Sequence, residues 1–130
     1  MDTIGIMFGR FNPPHQGHVN AWKSAATCDH YYIGTNPETL DAKNPLPFTI
    51  KKEIMETLCP EIVGHIIKAH NLFTMITEVY NNHGGNNVIH VYTDESWLSE
   101  SLNKYNGVCS KHGYYKFHEI VLFQIGRAHV

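Results

Sequence analysis

Gly9-Arg10-Phe11-Asn12-Pro13-Pro14-His15-Gln16-Gly17-His18 follows the apolar run Ile4, Ile6, Met7, Phe8 and precedes the stripe Val19, Trp22, Ala25, Ala26. The run reads as a buried strand and the stripe has helical spacing, so the quoted residues form a strand-to-helix turn. A turn of this kind aims backbone N–H groups and a helix N-terminus beyond the strand end, which suits an anion and above all a phosphate. His15 and His18 stand three residues apart at the expected helix start, on one face, where both can reach the same anion. Gly17 between them lets backbone approach closely, and Gly9 leaves the strand end open for a nucleotide to lie against. Pro13 and Pro14 stiffen the turn that aims His15.

Outward from the turn, strand and helix patterns alternate, which predicts a parallel sheet with crossover helices. Strands are expected at Thr3–Phe8, His30–Gly34, His65–Ala69, Val88–Tyr92 and Phe117–Phe123. The intervening helices start near Gly17, Phe48, Leu72 and Ser96. Pro60 stops the second, and Asn81-Asn82-His83-Gly84-Gly85 caps the third. Thr35–Pro47, with Asn36-Pro37 and Asn44-Pro45-Leu46-Pro47, is a long loop of the kind that often binds ligands. The fold class is therefore α/β, a Rossmann-like five-stranded parallel sheet flanked by helices.

The 130 residues suffice for one domain with a real core, and 42% hydrophobic content is ordinary for a globular chain. A net charge of -2 offers no basic stripe for a phosphate backbone, so nucleic acid is not an expected partner. No apolar run is long enough to span a bilayer, and no basic-then-apolar leader is legible, so no membrane partner is expected. Cys28, Cys59 and Cys109 are odd in number and widely spaced, which fits neither a zinc pair nor a disulfide set and points to a reducing cytoplasm. Among the ten histidines, His30, His65, His70, His83, His90 and His112 are scattered and read as packing or surface residues.

The opening motif resembles that of the HxGH nucleotidyltransferase superfamily, the adenylyl- and cytidylyltransferases. It is most like that of the nicotinamide-nucleotide adenylyltransferases, G-R-F-x-P-x-H-x-G-H. Lys43-Asn44-Pro45-Leu46-Pro47-Phe48 and Leu102-Asn103-Lys104-Tyr105-Asn106-Gly107 are similar to stretches of nucleotidyltransferases encoded by tailed bacteriophages. The likeness covers roughly residues 3 to 123. It implies transfer of a nucleoside monophosphate from a triphosphate to a phosphorylated acceptor, with pyrophosphate released and Mg²⁺ bridging the substrate phosphates. ATP with nicotinamide mononucleotide is the pair the motif implies. A cytidylyltransferase acting on a sugar or polyol phosphate is the alternative, and a non-catalytic nucleotide-binding module is the rival from another class. Relatives are often oligomeric.

On this likeness His15 and His18 are the catalytic pair, and Gly9, Arg10, Phe11, Gly17 and Asp94 join them in binding the nucleotide. Asp94 ends a central strand, where open α/β sheets hold ligands, but Tyr92-Thr93-Asp94 lacks the glycine many relatives carry. Capping the following helix is its other reading. Lys51 and Lys52 are candidate contacts to phosphate or acceptor, or else solvated charges. Trp97 reads as a core residue or a stacking ring. No metal-ligating set stands out, which suits an ion carried on water and substrate oxygens.

The superfamily carries a second, serine-rich signature ending in Arg after strand five, and no such segment occurs here. Ile125-Gly126-Arg127-Ala128-His129-Val130 is also the translation of ATC GGA AGA GCA CAC GTC, the start of a common sequencing adapter. The expectation is a nucleotidyltransferase domain over 1–124, incomplete at its C-terminus, with 125–130 a non-native tail from adapter read-through.

Overall fold

β1 (Asp2–Phe8) sends alternate side chains to two separate cores, and the fold is built around that division. In the computed structural model, which describes residues 1–37, 41–95 and 98–125, five parallel strands lie in the order β3-β2-β1-β4-β5. They are β1, β2 (His30–Thr35), β3 (Ile66–Lys68), β4 (Asn87–Thr93) and β5 (Glu119–Gln124). Ile4 and Ile6 face one side with Ile89, Val91 and Ile120. Met7 faces the other with Ile33 and Tyr92.

α1 (Val19–Ala25) and α2 (Phe48–Leu58) cover the Met7 side through Val19, Trp22, Ala25 and Met55. α3 (Leu72–His83) and α4 (Leu98–Lys104) cover the Ile4 side through Leu72, Met75, Ile76, Val79 and Leu102. This is the doubly wound, Rossmann-like arrangement expected of alternating strands and helices joined by right-handed crossovers. α1 lies so close to β1 that a Cβ on Gly5 would stand 2.5 Å from the Ala25 carbonyl oxygen. Only glycine permits that approach.

Local chemistry sets the element ends. Asn71 caps α3 by accepting from the Thr74 N–H at 2.8 Å, while Thr74 Oγ1 accepts from the Asn71 N–H at 3.1 Å. Gly84, at φ 77, ends the same helix, as its sequence position predicts. α2 stops at Leu58, and Pro60 opens a single 3-10 turn (Pro60–Ile62).

Three expectations change. The first helix begins at Val19 rather than Gly17, because Gln16–His18 winds as a 3-10 turn. The third strand is the short edge Ile66–Lys68 rather than His65–Ala69, and the fifth begins at Glu119 rather than Phe117. Past β5 the Ile125 N–H donates to the Thr93 carbonyl at 2.9 Å, one further bond along the same edge. Ser96, Trp97 and 126–130 lie outside the described residues.

Candidate active site

The strand order reverses between β1 and β4, and two cavities open there at the C-terminal ends of those strands. Phe8 at the end of β1 with Gly9 and Arg10 after it, and Tyr92 and Thr93 at the end of β4 with Asp94 after them, line both. A crevice at this reversal is where open α/β sheets bind ligands. One cavity, about 540 Å³, continues over Asn12, His15, Gly17 and His18. The other, about 450 Å³, continues over Asn36, His70, Asn71 and Phe73. A third, about 200 Å³, lies among Arg10, Asn12, Asn36, Asn44 and Lys51.

The turn is held at each residue from Gly9 to Asn12. The Gly9 N–H donates to the Gly34 carbonyl at 3.1 Å, which continues the β1–β2 ladder by one bond. The Arg10 carbonyl accepts from Thr35 Oγ1 at 2.9 Å and from Lys51 Nζ at 3.0 Å. Phe11 then takes φ 46, a left-handed value unusual for an aromatic residue. That turn folds its ring back over Gly9, where a Cβ would stand 2.6 Å from Phe11 Cζ. The ring is 5% exposed and meets Trp22 and His18 edge-on, with centroids 5.4 and 4.9 Å apart. Gly9 thus makes room for the Phe11 ring, which packs as core, and both residues border the larger cavity. Asn12 finishes the turn as a side-chain amide pair with Leu46, donating to its carbonyl at 3.0 Å and accepting its N–H at 2.9 Å.

His15 and His18 face each other across the 3-10 turn, with ring centroids 3.8 Å apart. In a 3-10 turn residues i and i+3 eclipse, which brings the rings together. His15 Nδ1 accepts the Gly17 N–H at 3.1 Å, and His18 Nδ1 accepts the His15 N–H at 3.2 Å. With each Nδ1 lone pair used this way, the proton of each neutral ring sits on Nε2, at the far side from the backbone. Burial, and then the neighbouring His15 ring, lower the His18 pKa from 6.5 to about 4. The N–H groups of Gly17 and His18 both bond to His15.

The other expected residues are placed as follows. Asp94 is exposed and borders both larger cavities. α4 starts at Leu98, whose N–H donates to the Glu95 carbonyl at 3.1 Å, and Thr93 Oγ1 accepts the Glu95 N–H at 3.0 Å. Arg10 is exposed and borders all three cavities. Lys51, read as a phosphate contact or a surface charge, is 2% exposed. Its ammonium donates to the Arg10 carbonyl, to Thr35 Oγ1 at 2.9 Å and to the Asn36 carbonyl at 3.0 Å, and burial lowers its pKa. Lys52 is half-buried on α2 and borders none of the three cavities.

Sequence reading missed Thr35, Asn12 and the second cavity's wall at His70, Asn71 and Phe73. Thr35, expected to open the loop, is instead the last residue of β2. Among the described residues no three His, Cys, Asp or Glu side chains form a metal-binding group. Among the described residues no helix is long and apolar enough to cross a membrane. No protein-family model matches the chain, and no curated protein matches it.

Proposed function

We propose that the chain is a nucleotidyltransferase that carries a nucleoside monophosphate, AMP from ATP as the first choice, to a phosphorylated acceptor such as nicotinamide mononucleotide. The observation that carries the reading is the His15–His18 pair, two imidazoles in contact with their planes tilted by 32° and their Nδ1 atoms engaged, on the wall of the cavity at the strand reversal. In the reaction an acceptor oxygen attacks the α-phosphorus in line, and the bond from that phosphorus to the bridging oxygen breaks as pyrophosphate leaves. Charge on the phosphoryl oxygens must be stabilised, and preformed donors do this with no reorganisation at the moment of reaction. Two Nε2–H groups from rings that already hold each other suit that task. Burial keeps His18 neutral near pH 7, so its ring acts as a hydrogen-bond donor and not as a cation.

Arg10, exposed where the cavities meet, supplies fixed positive charge to the triphosphate. The two larger cavities, joined at Gly9, Arg10 and Asp94, give the triphosphate and the acceptor adjoining seats. Magnesium carried on the phosphates would offset their charge, and the hard oxygen of Asp94 suits it. Cytidylyl transfer to a sugar or polyol phosphate uses the same groups and differs in the base and acceptor walls.

Pyrophosphate release is the test, with ATP and CTP each paired with nicotinamide mononucleotide, a sugar phosphate and a polyol phosphate. One pair should turn over, and His15→Ala or His18→Ala should lower kcat by about 10²- to 10³-fold, as loss of a preorganised donor does. Tight triphosphate binding with no pyrophosphate from any pair would replace the enzyme with a nucleotide-binding module.

A further inference from the structure

We infer that Lys51 and Thr35 are positioning residues that hold the Arg10 carbonyl and, through it, the His15–His18 pair. The catalytic consequence rests on the reading of that pair as the phosphate-handling groups; the positioning does not.

The Arg10 carbonyl is gripped from β2 by Thr35 Oγ1 at 2.9 Å and from α2 by Lys51 Nζ at 3.0 Å. Lys51 also donates to Thr35 Oγ1 at 2.9 Å and to the Asn36 carbonyl at 3.0 Å. All three ammonium protons therefore go to protein oxygens, and Thr35 Oγ1 both donates and accepts. A lysine so engaged has no proton left for a substrate phosphate. Its charge sits 2% exposed beneath the turn, and Thr35 is 0% exposed.

The gripped carbonyl belongs to the peptide that enters Phe11. Fixing that peptide plane fixes the start of the left-handed step at φ 46, a conformation that persists only where its surroundings enforce it. The step seats the Phe11 ring between Gly9 and Trp22 and edge-on to His18 at 4.9 Å. His18 in turn holds the His15 N–H, and His15 holds the Gly17 N–H. A continuous line of contacts thus runs from the Lys51 ammonium to both imidazoles. It works through geometry, since neither Lys51 nor Thr35 borders the larger cavity.

Thr35→Val is the decisive variant, because it keeps shape in a strand and removes only the hydroxyl. Thr35→Ser restores the hydroxyl, and Lys51→Met removes the ammonium at similar length. Two readouts are taken on the full chain. Long-range ¹⁵N–¹H imidazole spectra report which ring nitrogen carries the proton, with His30 and His65 as distant controls. Steady-state pyrophosphate release separates kcat from KM.

In Thr35→Val and Lys51→Met the His15 and His18 signals should move from one Nε2–H tautomer toward a mixture, with the control histidines unchanged. The kcat should fall about 10- to 100-fold, the scale of misplaced catalytic groups, with KM for the triphosphate nearly constant. Thr35→Ser should restore both. If His15 and His18 signals in folded Thr35→Val match the wild type, the positioning role is overturned. If wild type turns over no triphosphate, the transfer reading falls while the spectra still decide the positioning. Should Lys51→Met fail to fold, Thr35→Val and Thr35→Ser carry the test alone.

Discussion

The Nδ1 atom of His18 accepts the backbone N–H of His15 at 3.2 Å, and the two rings lie 3.8 Å apart between centroids. One side chain of the pair therefore fixes the backbone that carries the other. The bond needs a bare Nδ1, so protonation of His18 and closure of the turn oppose each other.

Burial of the His18 ring, and then the His15 ring beside it, set a pH dependence. The His18 pKa is lowered to about 4 in the folded chain from its ordinary 6.5, so between those values the unfolded chain binds the extra proton. Folding stability is then complete above pH 6.5 and is lost as pH falls toward 4, with no further loss from this group below that. His18→Asn keeps an acceptor near Nδ1 and removes the titration. Urea unfolding at a series of pH values should show a smaller acid loss for His18→Asn than for wild type. Equal losses would assign the acid sensitivity to other groups.

Gly9→Ala should destabilise the fold by about 1–3 kcal/mol, the range for an added carbon in a packed site. The new Cβ would stand 2.6 Å from Phe11 Cζ, and the ring cannot retreat because Trp22 and His18 lie on its other sides. An unchanged urea midpoint would mean that the ring has another place to go.

The strand-turn-helix at residues 2–25 was legible because its signals are local: an apolar run, a turn rich in glycine and proline, then a helical stripe. The same locality explains what was not legible. Lys51 sits in α2 like any helix-face lysine, and its partner, the Arg10 carbonyl, lies 41 residues back with no pattern to announce it. Gly9 borders both larger cavities, but no one-dimensional rule says that the ring two residues on also folds over it. Residues 106–116 gave no period at all. They are held by the Asn106 side chain on the Phe117 backbone, at 3.1 and 2.8 Å, by an isolated bridge from Ser110 to Gly113, and by the Tyr115 hydroxyl on the Leu102 carbonyl at 2.7 Å.

Asn12→Ala should free the loop 41–47 from the turn. The substitution removes both bonds to Leu46 and leaves its half-buried N–H and carbonyl without those partners, a cost of about 1–3 kcal/mol. Hydrogen exchange at the Leu46 amide should accelerate while the β1 and β4 amides keep their protection. Asn12→Asp retains the acceptor for the Leu46 N–H and loses the donor, so it should fall between. Full protection of Leu46 in Asn12→Ala would show that other contacts hold the loop.

Asp94 distinguishes a ligand-facing carboxylate from a structural one. It is exposed at the end of β4 and borders both larger cavities, whereas the first described turn of α4 is closed by the Glu95 carbonyl and the Leu98 N–H. A residue acting mainly as a helix cap loses about 1 kcal/mol of stability when its side-chain oxygen is removed, and asparagine replaces aspartate at caps almost without loss. Asp94→Asn should therefore leave the urea midpoint close to wild type under the ligand-facing reading. The charge, not the shape, is what the variant deletes, so its effect should appear in the magnesium dependence of pyrophosphate release as a higher half-saturating concentration. Asp94→Ala separates the two roles further, since a cap would lose stability in alanine but not in asparagine. Unchanged magnesium dependence in Asp94→Asn, together with a destabilised Asp94→Ala, would return this residue to the helix.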